Sequence, residues 1–168
     1  MAQTPVVGGK APDFSLVGDD GGKVSLKNFR GKKVVLYFYP KADTPGCTTQ
    51  SCALRDAEPD LAQLDAVVIG VSPDTPERQK KFDEKYGLGF TLLADTEHEV
   101  AEKYGVWGEK VNYGRKYMGI IRSAFVVDTT GKLAAAFYKI SPKDTVPKLT
   151  KARERLGGMI ACRATHAR

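Results

Sequence analysis

Lys33-Val34-Val35-Leu36-Tyr37-Phe38-Tyr39 runs directly into Pro40-Lys41-Ala42-Asp43-Thr44-Pro45-Gly46-Cys47. The first half is an unbroken β-branched and aromatic run, the pattern of a strand buried on both faces. The second half opens a helix: Thr44 is a suitable N-cap, Pro45 fits the first helical position, and apolar residues recur at helical spacing as far as Leu64. A second apolar run, Ala66 to Val71, follows. Strand, helix and strand in that order form a βαβ unit, and strands buried on two faces need helices above and below them.

The rest of the chain extends this unit. Asp13 to Leu26 alternates short apolar groups around Gly18-Asp19-Asp20-Gly21-Gly22, which predicts an N-terminal hairpin capping a larger sheet. After Val71, Ser72-Pro73-Asp74-Thr75-Pro76-Glu77 punctuates the chain before an amphipathic helix that runs to about Tyr86 and stops at Gly87. A short strand at Thr91 to Ala94, a helix from about Glu97 to Tyr104 and a loop from Gly105 to Gly119 come next. Ser123 to Asp128 and Lys132 to Lys139 read as a hairpin turning at Thr129-Thr130-Gly131, before a last helix from Lys143 to Leu156. Parallel and antiparallel elements coexist, so the expected class is a mixed α/β sandwich.

Composition bounds the function. With 168 residues, 42% hydrophobic and 27% charged, the chain fits one folded domain, taken here as residues 1–157, and is not disordered. Its longest unbroken aliphatic or aromatic run falls far short of the ~20 apolar residues of a membrane span. The N-terminus lacks the basic and apolar regions of a secretory signal, so the expected location is the cytoplasm. The net charge of +6 resides entirely between Lys139 and Arg168, where eight basic and two acidic residues fall. That places the excess on a terminal helix and a basic tail, 158–168, read as loose; without a zinc-finger or RNA-recognition motif, specific nucleic-acid binding is not expected.

Cys47, Cys52 and Cys162 are too few for a secreted disulfide framework, which leaves redox catalysis or metal binding. The two histidines, His98 and His166, have no ligand spacing to the cysteines, so no metal is expected, and His98 reads as a helix-surface residue. Cys47 falls in the first helical turn, where unpaired N–H groups and the helix dipole favour a thiolate, the reactive form of cysteine. An inert core cysteine is the alternative, but a Thr-Pro-Gly-Cys loop at a strand-to-helix junction is an unusual place for packing alone. Cys52, five residues on, would lie ~8–9 Å from Cys47 between Cα atoms on an intact helix. Separations beyond ~7 Å cannot be bridged, so a Cys47–Cys52 bond would require the first helical turns to unwind. Cys52 fits equally well as an apolar helix position beside Ala53 and Leu54. Cys162, in the tail, has no evident role.

The segment Tyr37 to Cys52 closely resembles the active-site loop of the peroxiredoxins, and within them the peroxiredoxin Q branch, also called bacterioferritin comigratory protein. Pro40, Thr44 and Cys47 match the specific Pro-x-x-x-Thr-x-x-Cys signature. The likeness extends from Gly9-Lys10-Ala11-Pro12-Asp13-Phe14 through Ile121-Arg122-Ser123-Ala124-Phe125-Val126-Val127-Asp128 to about Leu156. It implies a thioredoxin-like fold, Cys47 as the peroxidatic cysteine and Cys52 at the helical resolving position used by one subgroup. Arg122 falls where the family has its active-site arginine, with Arg115 and Lys116 as rivals nearby. Members of the branch are often monomers and need no metal, haem or flavin.

The chemistry fits that assignment. A Cys47 thiolate attacking one peroxide oxygen pushes charge onto the other, so donors are needed where charge develops. Arg122, the Thr44 hydroxyl and the N–H groups around Gly46 are suitable, and Pro40 would shield the sulfur from water. The expected activity is reduction of hydrogen peroxide and organic hydroperoxides through a Cys47 sulfenic acid, resolution by Cys52, and recycling by thioredoxin. The alternative is a redox sensor or holdase whose active-site helix unfolds on Cys47 oxidation. A thioredoxin-like disulfide exchanger is disfavoured because the chain has no Cys-x-x-Cys.

Overall fold

A computed structural model describes residues 5–62 and 65–152. The apolar run at the centre of the sequence is strand β3 (Lys33–Phe38), and the β-rich segments around it form one seven-stranded sheet. Its other strands are β1 (Ser15–Gly18), β2 (Lys23–Ser25), β4 (Ala66–Ser72), β5 (Thr91–Ala94), β8 (Ser123–Val127) and β9 (Leu133–Phe137), in the spatial order β2-β1-β5-β4-β3-β8-β9. The three central strands β5, β4 and β3 are parallel, while β1 joins β5, and β8 joins β3, antiparallel. The expected N-terminal hairpin forms, with Leu16 opposite Val24. It extends the sheet edge through β1 rather than capping a face, because Val17 and Gly18 pair with Ala94 and Leu93.

Why β3 has no polar face is visible in its neighbours. Val35 and Tyr37 point into one apolar layer with Leu54, Leu61, Phe82 and Leu149, residues of helices α1 (Pro45–Ala62), α2 (Pro76–Tyr86) and α4 (145–152). Val34, Leu36 and Phe38 point into the opposite layer with Val100, Ala101 and Tyr104 around α3 (Glu99–Lys103). The period of two along an extended chain sends alternate residues to opposite faces, and both faces are covered. Helix α2 starts and stops where the sequence predicts, with the Thr75 hydroxyl accepting from the Arg78 N–H and Gly87 in the left-handed region. Ahead of α4, Pro142–Asp144 make a single 3-10 turn, so the last helix begins two residues later than expected; its stretch beyond 152, the tail 158–168 and Cys162 lie outside the described residues. No helix among the described residues is long and apolar enough to cross a membrane.

Two expectations are corrected. The segment read as a loop from Gly105 to Gly119 is a two-stranded ribbon, β6 (Trp107–Asn112) and β7 (Arg115–Ile120), in register from Trp107 opposite Ile120 to Asn112 opposite Arg115. Its turn residues Tyr113 and Gly114 both have positive φ, 52° and 76°, which is the backbone of a tight primed hairpin turn. His98 is not simply a surface residue: it precedes α3 with φ 47° and stacks flat on Trp107, with ring centroids 3.8 Å apart. That contact ties the ribbon to the body of the domain, and α3 itself begins two residues later than the sequence predicts.

Candidate active site

Cys47 is the third residue of α1, and its side chain is only 1% exposed. It is placed by a loop that strand β3 delivers at the C-terminal edge of the parallel strands. Within the loop, the Thr44 carbonyl accepts from the Thr48 N–H at 2.8 Å, and the Thr44 hydroxyl donates to the Lys41 carbonyl at 2.8 Å. That hydroxyl proton therefore closes the loop. Donation from Thr44 to a substrate would require its proton to leave Lys41.

The far side of the loop is fastened to the β4–α2 connection. The Ala42 N–H and the Ser72 hydroxyl both donate to one Asp74 oxygen, at 2.7 and 2.6 Å, while Arg78 takes the other oxygen at 3.1 Å. Behind Ser72, Gln79 donates to its hydroxyl at 2.8 Å and to the Leu93 carbonyl at 2.9 Å, and accepts the Tyr39 hydroxyl proton. Asp43 adopts a left-handed φ of 62° and receives Lys85 at 2.9 Å and Tyr86 at 2.7 Å. Those two hydrogen bonds hold the Asp43 carboxyl below the ordinary aspartate range. None of these clamps was apparent in the sequence, because the partners lie 32 to 43 positions apart.

On the near side stands Arg122. Its Nη2 lies 3.5 Å from the Cys47 sulfur, and its Nη1 donates to Gln50 Oε1 at 2.7 Å. Gln50 is fully buried and passes the connection on, its Nε2 donating to the buried Thr145 hydroxyl at 3.0 Å. The guanidinium can lie against the sulfur because residue 46 is glycine: a Cβ there would sit 3.1 Å from Arg122 Nη2 and 3.3 Å from Pro142 Cγ. Pro40, half-buried, follows β3 into the same loop. The structure thus brings Pro40, Thr44, Gly46, Cys47 and Arg122 into one neighbourhood. The rival cations are elsewhere, since Arg115 and Lys116 are exposed on β7 and Lys116 faces Glu109 at 3.8 Å. Sequence reading missed Gln50 and Thr145; a glutamine three residues after Cys47, on the buried side of a helix, was the available signal.

Cys52 lies further along α1, half-buried against the same apolar layer, and both thiols are free. Between them Ser51 is fully buried and shares a 2.8 Å hydrogen bond with the Tyr37 hydroxyl. Burial, and more weakly the charges of Cys47 and Cys52, push the Tyr37 phenol far above its ordinary range, so it stays neutral.

A match to the AhpC/TSA family spans residues 7–136, more than half of the chain and all of the residues just described except Pro142 and Thr145. The chain belongs to the AhpC/TSA family. Peroxiredoxin Bcp of Bacillus subtilis (strain 168) is 52% identical over 140 residues, 83% of this chain and 89% of that protein. Peroxiredoxin Bcp of Escherichia coli (strain K12) is 50% identical over 127 residues, 76% of this chain and 81% of that protein. Among solved structures, peroxidoxin BcpB of Mycobacterium tuberculosis superposes with a TM-score of 0.77 at 30% identity, covering 90% of this chain and 96% of that one. The bacterioferritin comigratory protein of Xanthomonas campestris, described as reducing alkyl peroxides, gives a TM-score of 0.80 at 28% identity over 85% and 92% of the two chains. The resemblance to peroxiredoxins and the thioredoxin-like fold expected from it both hold. Peroxiredoxins are an enzyme class of thiol peroxidases, and this chain is one of them.

Proposed function

We propose that Cys47 reduces hydrogen peroxide and organic hydroperoxides, that Cys52 resolves the product, and that an external dithiol such as thioredoxin restores the enzyme. The observation that carries this reading is the Arg122 guanidinium 3.5 Å from a buried sulfur at a helix start. In the first step the Cys47 thiolate attacks one peroxide oxygen, the O–O bond breaks, and the departing oxygen takes a proton to leave as water or an alcohol. Cys47 is left as a sulfenic acid. The Arg122 N–H groups and the backbone N–H groups at the start of α1 face the charge as it moves off sulfur. In the second step the Cys52 thiol displaces hydroxide from that sulfur, which leaves as water, and a Cys47–Cys52 disulfide forms. The dithiol then reduces the disulfide to two thiols and is itself oxidised.

Resolution demands local unfolding, because residues five apart on a helix are too distant for a disulfide. Unwinding α1 from Cys47 to Cys52 disturbs two fully buried polar side chains. Gln50 would release Arg122 and Thr145, and Ser51 would release Tyr37. At about 1 kcal/mol net for each such bond, the closed helix is favoured by a few kcal/mol from these links alone, a barrier that oxidation must repay.

Oxidation of the reduced protein with one equivalent of hydrogen peroxide, followed by alkylation and peptide mass mapping, tests the assignment. A Cys47–Cys52 link formed within seconds is the expected result. Recovery of Cys47 as an alkylated thiol would overturn the reading. A lasting sulfenic acid or a bridge to Cys162 would overturn the role of Cys52 alone. Cys52→Ser is expected to complete one turnover at the normal rate and then stall, so that its steady-state rate with thioredoxin falls by about 100-fold or more. Undiminished cycling would show that another thiol resolves Cys47.

A further inference from the structure

The ribbon that sequence reading took for a loop sends a second cation to the strand end that leads into Arg122. Lys110 of β6 pairs with Tyr117 of β7, so its side chain shares a ribbon face with Gly108, Tyr117 and Gly119. Its stem crosses Gly119, where an added Cβ would stand 3.2 Å from Lys110 Cδ. The ammonium then donates to the Ile120 carbonyl at 2.8 Å. Ile120 ends β7, two residues before Arg122.

The ammonium is half-buried, and among the described residues no carboxylate pairs with it. Burial first, and then the like charge of Arg122, hold its amine below the ordinary lysine range, while Cys47 acts in the opposite sense. A lysine in that setting pays a desolvation cost that its carbonyl hydrogen bond offsets only in part, and negative charge on Cys47 would offset more of it. Arg122 lies 3.5 Å from the Cys47 sulfur, Lys110 of β6 feels the charges of Arg122 and Cys47, and Tyr37 of β3 feels those of Cys47, Cys52 and Arg122. Tyr37 stays neutral, so it adds no negative charge beside the sulfur.

We propose that Lys110 is a positioning residue of the Cys47 site, whose ammonium braces the Ile120–Arg122 joint through the Ile120 carbonyl and adds a second positive charge favouring the Cys47 thiolate. This rests on Cys47 being the peroxidatic residue. Both parts require the charge and reach of a cation, which distinguishes the role from packing.

Stopped-flow rates of peroxide reaction, followed through Trp107 fluorescence between pH 6 and 10, test the proposal for K110M, K110Q and K110R beside wild type and C47S. At neutral pH, K110M is expected to react about tenfold more slowly, the order of effect of one charge acting across a partly buried site. K110Q, which keeps a donor but no charge, falls nearly as far, and K110R keeps most of the wild-type rate. A lysine's charge is present below its pKa and lost above it, so the wild-type rate drops away from that of K110R on the alkaline side. Wild-type rates in both K110M and K110Q overturn the proposal, as does K110R reacting as slowly as K110M in folded protein. The C47S control keeps two failures apart. Inactive C47S beside unaffected Lys110 variants overturns Lys110 alone, whereas active C47S overturns the assignment of Cys47 and this inference with it.

Discussion

Cys47→Ser is expected to abolish peroxide reduction while leaving the fold in place. The substitution is nearly isosteric and sits at a position only 1% exposed, so the packing of α1 against β3 changes little. The chemistry changes completely, because a serine hydroxyl stays neutral at physiological pH and an alcohol is a poor nucleophile towards an O–O bond. Loss of a nucleophile of this kind costs roughly four to six orders of magnitude in rate. A thioredoxin-coupled assay, with near-ultraviolet circular dichroism as the check on folding, measures it. Residual activity above a tenth of wild type in a folded variant would move the chemistry to another residue. Among the described residues Cys52 is the other thiol, and it stands further along α1, half-buried against the apolar layer. Three thiols in one chain thus become distinguishable by what each substitution removes: every turnover for Cys47, all turnovers after the first for Cys52, and none for Cys162.

What could be read in the sequence divides along a physical line. The strand Lys33–Phe38, the helix from Pro45 and the strand Ala66–Ser72 were legible because each is buried: burial on both faces writes an unbroken apolar run into a strand, and burial on one face writes a period of 3.6 into a helix. The ribbon β6–β7 was not legible because much of both its strands faces solvent. Glu109, Val111, Arg115, Lys116, Tyr117 and Met118 are all exposed, and no apolar alternation survives. Its one signal was the turn at Tyr113-Gly114, which requires two positive φ values in succession. Missing the ribbon also hid Lys110, whose reach to the Ile120 carbonyl depends on the pairing of β6 with β7. The loop motif of Pro40, Thr44 and Cys47 was legible as a pattern of residue types. The partners that hold it, Asp74, Lys85 and Tyr86 on one side and Gln50 and Thr145 on the other, were not, because long-range hydrogen bonds leave no periodic trace. Thr44 shows the same limit at short range: its position was predicted, but the direction of its hydroxyl proton depends on the Lys41 carbonyl.

Arg122→Met should lower the rate of Cys47 oxidation by about 100- to 1,000-fold, the cost of removing one donor aimed at developing charge. The variant keeps an apolar stem where the arginine stem lay and deletes the two N–H groups that bind Gln50 and face the sulfur, at 2.7 and 3.5 Å. Arg122→Lys is expected to recover only part of the loss. A single ammonium lacks the planar fork that lets one guanidinium hold Gln50 with Nη1 while Nη2 stays on the sulfur. Gln50 is the informative companion, since it faces the guanidinium and not the sulfur. If its effect runs through Arg122, Gln50→Leu slows oxidation by about tenfold in the wild-type background and by far less in the Arg122→Met background, a non-additivity expected of residues that share one interaction. Pre-steady-state rates for the four proteins complete the cycle. Equal effects of Gln50→Leu in both backgrounds would show that the glutamine acts on α1 directly. A strongly reduced effect in the double variant would show that the buried chain from Thr145 through Gln50 exists to aim the arginine. The same chain must break when α1 unwinds, so the residue that sharpens the first step also raises the barrier to the second. Gln50→Leu should then form the Cys47–Cys52 disulfide faster once the sulfenic acid is present, although it reaches that acid more slowly.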